Sequence, residues 1–237
     1  DLRDATSHME RVTVLTSQDT FLRMHGWADR PVEPDAWVIP SINDQPRLNK
    51  PPLAVWLNLL AWSDLNPAEH DTPALMYRAR LVTWLMAGLL LLGTYWLARS
   101  LGFGRWAVAP PLIAATTLFF GRYARLAGFD TFLAAWVTLG CASGVWAIAP
   151  LRRRASTTRR TIGWIGAALF LGLAILSKGP IALLFIPLPL AIAVLMLSRR
   201  KTLDLAVVGA ATVGGVALAL PWYVNLYLQH PGAIDSW

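Results

Sequence analysis

The sequence predicts an all-α integral membrane protein, a polytopic helical bundle with a large first extracytoplasmic loop carrying short interfacial helices. Three observations predict it. Charged residues make up 15% of the 237, against about 25% in an ordinary soluble domain. Hydrophobic residues reach 55%, with a mean hydropathy of +0.46. They are gathered into runs approaching the roughly 20 residues that a helix needs to cross a bilayer. The basic residues, finally, cluster in short loops beside alternate runs, where they read as topology signals. A net charge of +7 would suggest a nucleic-acid partner in a soluble protein; placed as loop anchors, these residues argue against one. The single cysteine, Cys141, lies in an apolar run and cannot form an internal disulfide. No signal peptide is visible after Asp1, and Trp237 follows soon after an apolar segment. The chain is therefore expected to be a fragment of a longer protein.

Residues 1–75 are the polar, extracytoplasmic part. Thr13 to Met24 reads as a short helix with Val14, Leu15, Phe21 and Leu22 on one side. Trp27 to Asp35 is a loop, Asp35 to Pro40 an extended piece, and Asn43-Asp44 a turn. Leu53 to Trp62 is apolar but too short to span, and its tryptophans suit a helix lying in the interface.

Residues 76–222 hold six expected transmembrane helices, at about 77–98, 106–121, 131–149, 162–177, 181–198 and 203–221. Pro110-Pro111 and Pro187 with Pro189 interrupt the second and fifth, which neighbouring helices can accommodate. Residues 223–237 then begin the next extracytoplasmic loop. Three basic loops share one side: Arg99 with Arg105, Arg152 to Arg160, and Arg199 to Lys201. The positive-inside rule makes that side cytoplasmic. The N-terminal region, the Arg125–Asp130 loop and the Ser177–Pro180 turn then face outward.

That outer side collects Asp4, His8, Glu10, Arg11, Lys50, Arg125, Asp130 and Lys178. Any one of them, taken alone, reads as an interfacial residue reaching for water. Several acids and bases converging on one face of a membrane bundle point to function. Carboxylates can deprotonate a hydroxyl acceptor while cations hold a phosphate leaving group. Pro46-Arg-Leu-Asn-Lys-Pro-Pro52 is the most pointed stretch. Its prolines fix φ and withhold N–H donors, so Lys50 sits on a stiff segment where a positioned ammonium can meet phosphate.

Several stretches, in this order, resemble the bacterial lipid-linked-sugar glycosyltransferases of GT-C fold, the aminoarabinose transferase and protein-mannosyltransferase-like enzymes. They are Thr16-Ser-Gln-Asp19, Asp35-Ala-Trp-Val-Ile-Pro40, Arg47-Leu-Asn-Lys-Pro-Pro52, Arg122-Tyr-Ala-Arg-Leu-Ala-Gly-Phe-Asp130, Leu176-Ser-Lys-Gly-Pro180, and Leu220-Pro-Trp-Tyr223 with His230-Pro-Gly232. The resemblance implies a bacterial inner-membrane enzyme with its active side extracytoplasmic. Such an enzyme moves a hexose or pentose from a polyprenyl-phosphate carrier to a lipid, glycan or protein acceptor. It implies that Lys50 and Arg11 contact the carrier phosphate, that Glu10 or Asp4 is the catalytic base, and that Asp130 is an acidic cavity residue. Lys178, Arg125 and Asn49 join the substrate-binding set.

Two positions depart from the family pattern. Its first-loop Asp-Glu pair reads Met9-Glu10 here, with Asp4 as a stand-in. Its Glu before the motif lysine, a metal ligand in some members, is Asn49. A neutral amide is a poor partner for a divalent cation without other oxygens, so no metal site and no certain cofactor is expected. The expected reaction is direct displacement at the anomeric carbon with inversion. The rival readings are a flippase of lipid-linked sugars, which predicts mid-span polar groups and internal repeats, and a catalytically inactive structural homologue.

Overall fold

The computed structural model describes residues 41–42, 45–46, 50–63, 72–126, 128–149 and 156–230. The segments expected at Thr13–Met24, Trp27–Asp35 and Asp35–Pro40 lie outside these, as do Asp4, Glu10, Arg11 and Asn49. β1 (Ser41–Ile42) pairs antiparallel with β2 (Gln45–Pro46), and the turn expected at Asn43-Asp44 lies outside the described residues. Helix α1 follows at Leu53–Ala61, the expected short apolar helix.

The bundle comprises α2 (Thr72–Ser100), a 3₁₀ turn at Gly104–Val108, α3 (Ala109–Thr116), α4 (Leu118–Tyr123), α5 (Phe129–Ile148), α6 (Thr157–Lys178), α7 (Ala182–Phe185), α8 (Pro187–Leu197) and α9 (Lys201–Gln229). Among the described residues four helices are long and apolar enough to cross a membrane: α2 from Met76, α5, α6 and α9. The other two apolar runs are broken, each for a local reason. In the 106–121 run, Thr117 turns extended and its hydroxyl caps α4 by accepting from the Phe120 N–H at 3.2 Å. In the 181–198 run, Pro187 restarts the helix after Ile186. The last helix runs past its expected end at 221 to Gln229, with Pro221 carried inside it. A proline lacks one donor, and an otherwise apolar helix can absorb that single missing bond.

Small residues set the packing. Helices α5 and α6 run antiparallel, Gly163 lying against Ser143 and Ala147, and Gly140 against Phe170. Added to Gly163, a Cβ would come within 2.7 Å of the Ala147 Cβ and 2.8 Å of the Ser143 carbonyl oxygen. The Ser143 hydroxyl donates across the seam to the Gly163 carbonyl at 2.9 Å. Such close approach through small residues and interhelical hydroxyls is how helices associate where lipid offers no hydrophobic drive. Helix α9 runs parallel to α6, Gly172 meeting Gly215 and Leu218. Parallel to α5, in turn, runs α2, with Gly93 against Thr138 and Leu139 and Trp96 6.0 Å from Trp146.

These directions sort the charges. One end of the bundle holds Arg99, Arg105, Arg159, Arg160 and Arg199 to Lys201. There Asp204 is 0% exposed, paired with Arg160 and accepting from the Ser198 hydroxyl, which ties α6 to α9. Arg159 closes the end of α5 by donating to the Trp146 carbonyl at 2.8 Å and the Ala149 carbonyl at 3.2 Å. The other end holds α1, the start of α5 and the end of α6.

Gly163→Val should cost about 1–3 kcal/mol by forcing the α5–α6 seam apart. Gly209, with nothing within 4 Å of its Cβ position, should accept alanine without loss. Thermal denaturation in detergent checks both; equal melting points for the two variants would contradict the seam.

Candidate functional site

The site is built at the end opposite the basic loops. Pro51 and Pro52 are fully buried. Pro52 accepts from the Trp56 N–H at 2.9 Å, opening α1. Val55 and Leu59 of α1, with Trp62 just after it, lie on Met76 and Ala79 of α2, and Ala54 lies on Val82, Met86, Phe132 and Ala135. Leu53 joins the main core with Leu176, Trp222 and Leu226. The half-buried Lys50 therefore leads directly into an anchored segment. The stiffness read from the prolines is realised as burial of both rings.

Asp130 stands in the first turn of α5, where the helix dipole favours a negative charge, and Lys178 ends α6, where it favours a positive one. Because the two helices run antiparallel, their termini meet, and Lys178 Nζ donates to Asp130 Oδ1. Gly179 terminates α6 at a φ of 93°, a left-handed conformation that suits glycine, and its N–H closes on the Ile175 carbonyl at 2.8 Å. Pro180 then prevents continuation. The Ser-Lys-Gly-Pro turn is thus a device for presenting Lys178 at a fixed height.

Of the expected site residues, Asp130 and Lys178 are brought into contact, and Lys50 lies on the same end. Arg125 is exposed and only its backbone bond to the Arg122 carbonyl, at 3.2 Å, is fixed. Among the described residues no group of three or more His, Cys, Asp or Glu could hold a metal ion. Two of the buried polar groups, both near this end and both packed around α1, carry no signal noted in the sequence. They are Asn58 in α1 and Trp136 in α5, whose Oδ1 and Nε1 have no hydrogen-bond partner. Trp136 stacks on Phe170 at 6.1 Å. An asparagine within the apolar run Leu53 to Trp62 is the available signal for the first; nothing in the sequence distinguishes Trp136 from its eleven fellow tryptophans.

A cavity of about 510 Å³ opens beside Asp130. Leu90 of α2, Thr117, Phe119, Phe120 and Tyr123 around α4, and Thr131 and Ala134 of α5 line it. Its volume falls within the roughly 300–1,000 Å³ usual for ligand sites.

Residues 59–235 match the dolichyl-phosphate-mannose-protein mannosyltransferase family, well over half of the chain. The chain belongs to that family. It is 28% identical over 206 residues to undecaprenyl phosphate-alpha-4-amino-4-deoxy-L-arabinose arabinosyl transferase 2 of Proteus mirabilis, covering 85% of this chain and 34% of that one. Its fold is that of ArnT from Cupriavidus metallidurans. The apo structure superposes with a TM-score of 0.67 at 19% identity, over 95% of this chain and 43% of that one. The structure bound to undecaprenyl phosphate gives 0.67 at 20%, over 91% and 36%. The chain thus spans about a third of the curated relative it matches.

The exposed Asp130–Lys178 pair should contribute little to folding, below about 1 kcal/mol. Asp130→Asn and Lys178→Met should each leave the melting temperature of the detergent-solubilised protein nearly unchanged. A large drop would make the pair a structural strut instead of a site element.

Proposed function

We propose that this chain is part of a membrane glycosyltransferase of the bacterial inner membrane. It moves a pentose or hexose from an undecaprenyl-phosphate carrier to an acceptor at the extracytoplasmic face. The observation that carries the reading is the placement of Lys50, Asp130 and Lys178 at one end of a bundle belonging to this family, opposite the end where the basic loop residues gather. The positive-inside rule puts that basic end in the cytoplasm. The carrier named for the Proteus relative and bound in the Cupriavidus structure supports the choice of donor.

The chemistry assigned is a single displacement. The acceptor oxygen attacks the anomeric carbon from the face opposite the phosphate. The bond from that carbon to the phosphate oxygen breaks, the configuration inverts, and polyprenyl phosphate leaves with both electrons. Glu10, or Asp4, takes the acceptor proton. Lys50, with Arg11, holds the phosphate, and a fixed ammonium is most effective where charge grows during departure. Lys178 adds a second cation whose position Asp130 sets. Arg125 and Asn49 complete the substrate-binding set. With a neutral amide at Asn49, the charge on the leaving group is balanced by these side chains, with no metal step.

Lys50→Ala should lower transfer of radiolabelled sugar from undecaprenyl phosphate by on the order of 10² or more in full-length protein in membranes, with insertion intact. Glu10→Gln should do the same. Near-normal turnover in Lys50→Ala would remove it from the site. Incubation with a chelator should leave the wild-type rate unchanged; its loss, restored by added divalent cation, would overturn the metal-free assignment.

A further inference from the structure

The basic end of the bundle carries more positive charge than its own packing uses. Among the described residues two are carboxylates, Asp130 at the far end and Asp204 at this one. Asp204 is taken by Arg160 and the Ser198 hydroxyl. Arg159 directs its guanidinium to the carbonyls of Trp146 and Ala149 and lies 5.2 Å from the Trp146 ring centroid. Arg99, Arg105, Arg199, Arg200 and Lys201 are exposed, and no described carboxylate is left for them.

Two of these cations stand on one fixed turn. The chain leaves α2 at Ser100 and enters the 3₁₀ turn at Gly104. Gly102 and Gly104, at φ of 92° and 55°, take left-handed conformations that suit glycine. The Phe103 N–H closes on the Ala98 carbonyl at 3.2 Å and the Trp106 N–H on the Phe103 carbonyl at 3.0 Å. Ala107 is fully buried and roots the turn in the bundle. Arg99 Nη1 donates to the Gly104 carbonyl at 2.9 Å, which holds its guanidinium one peptide away from Arg105. The Arg105 guanidinium lies 5.5 Å from the Trp106 ring centroid. One bond to a carbonyl leaves a guanidinium with further N–H donors, and its planar fork fits phosphate oxygens.

The same turn exposes Leu101, Phe103 and Trp106, the last of them 65% exposed. At the headgroup level of a bilayer such side chains enter the acyl boundary, and indole rings favour that depth. The Arg199–Lys201 loop, by contrast, contains charge and no aromatic residue. Paired guanidinium groups on a turn whose apolar side chains are embedded call for an anion that is embedded as well. The phosphate of an anionic phospholipid meets that requirement, and basic residues at the cytoplasmic ends of spans attract such headgroups.

We propose that the Arg99–Trp106 turn binds the headgroup of an anionic phospholipid of the cytoplasmic leaflet. Its phosphate sits at Arg99 and Arg105, and its glycerol and upper acyl chains lie against Phe103 and Trp106. The site shares no residue with the proposed sugar transfer and holds the inner end of α2 to the membrane surface.

The test uses the full-length protein in phosphatidylcholine nanodiscs containing a minority of phosphatidylglycerol with a diazirine in its headgroup. Irradiation should label the peptide spanning Arg99 to Trp106. Arg105→Gln leaves the backbone bonds of the turn in place and should lower that labelling roughly fivefold. Arg99→Gln combined with Arg105→Gln should lower it by about tenfold or more. Arg200→Gln should leave it unchanged. Excess unlabelled phosphatidylglycerol should displace the probe, and soluble glycerol 1-phosphate should not. An equal loss in Arg200→Gln would reduce the attraction to diffuse charge and overturn the site. Equal labelling by a phosphatidylcholine probe of the same design, or displacement by glycerol 1-phosphate, would overturn it too. The labelling does not depend on sugar transfer, so a protein that labels at this turn but transfers no sugar would defeat the proposed function and leave the lipid site standing.

Discussion

The close approach of α5 and α6 is the constraint on which the rest of this structure depends. With Gly163 against Ser143 and Ala147, and the Ser143 hydroxyl bonded to the Gly163 carbonyl, the two helices have one workable register. That register makes the start of α5 and the end of α6 coincide, and so puts Asp130 beside Lys178. A slip along the seam would separate the pair. It would also open the contact of α6 with α9, where a Cβ on Gly215 would fall 2.9 Å from the Ala168 carbonyl oxygen. Interiors packed this closely transmit small shifts instead of absorbing them.

The two ends of the bundle handle charge differently. At the basic end Asp204 is buried and fully engaged by Arg160 and Ser198, an arrangement that holds α6 to α9 and faces no cavity. Removing one partner of such a pair leaves an uncompensated charge, which makes it a good pin and a poor catalyst. At the opposite end Asp130 and Lys178 remain more than a third exposed or close to it, beside a cavity, where a ligand can compete for either. Burial, more than residue type, distinguishes the ion pair that fixes the fold from the one left open to solvent.

Much of this was legible in the sequence. Apolar run length located α2, α5, α6 and α9, and a run far short of the roughly 20 residues needed to span kept α1 from being read as a span. The Lys-Gly-Pro order announced the end of α6, because glycine and proline there have direct backbone consequences. Other features depended on contacts between distant positions. Nothing local says that Asp130 finds Lys178, 48 residues away, since that follows from helix direction and packing. Asp204 could have been suspected as the lone acid beside Arg199 to Lys201, but its partner, Arg160, comes from another helix. The cavity arises because Thr117 breaks one apolar run into two short helices, and composition treats that run as continuous. Glu10, Arg11, Asp4 and Asn49 fall outside the described residues, so their reading still rests on the family resemblance.

The central proposal is that the end of the bundle holding Lys50, Asp130 and Lys178 faces outward and the basic end faces the cytoplasm. Side-specific labelling tests it most directly. In the full-length protein with Cys141→Ser, single cysteines would be introduced by Lys50→Cys, Lys178→Cys and Arg200→Cys. Intact spheroplasts would then be treated with a membrane-impermeant maleimide. Labelling at positions 50 and 178, with position 200 reacting only after the membrane is opened, is the result the account predicts. Labelling at 200 from outside, or protection of both 50 and 178 until lysis, would contradict it.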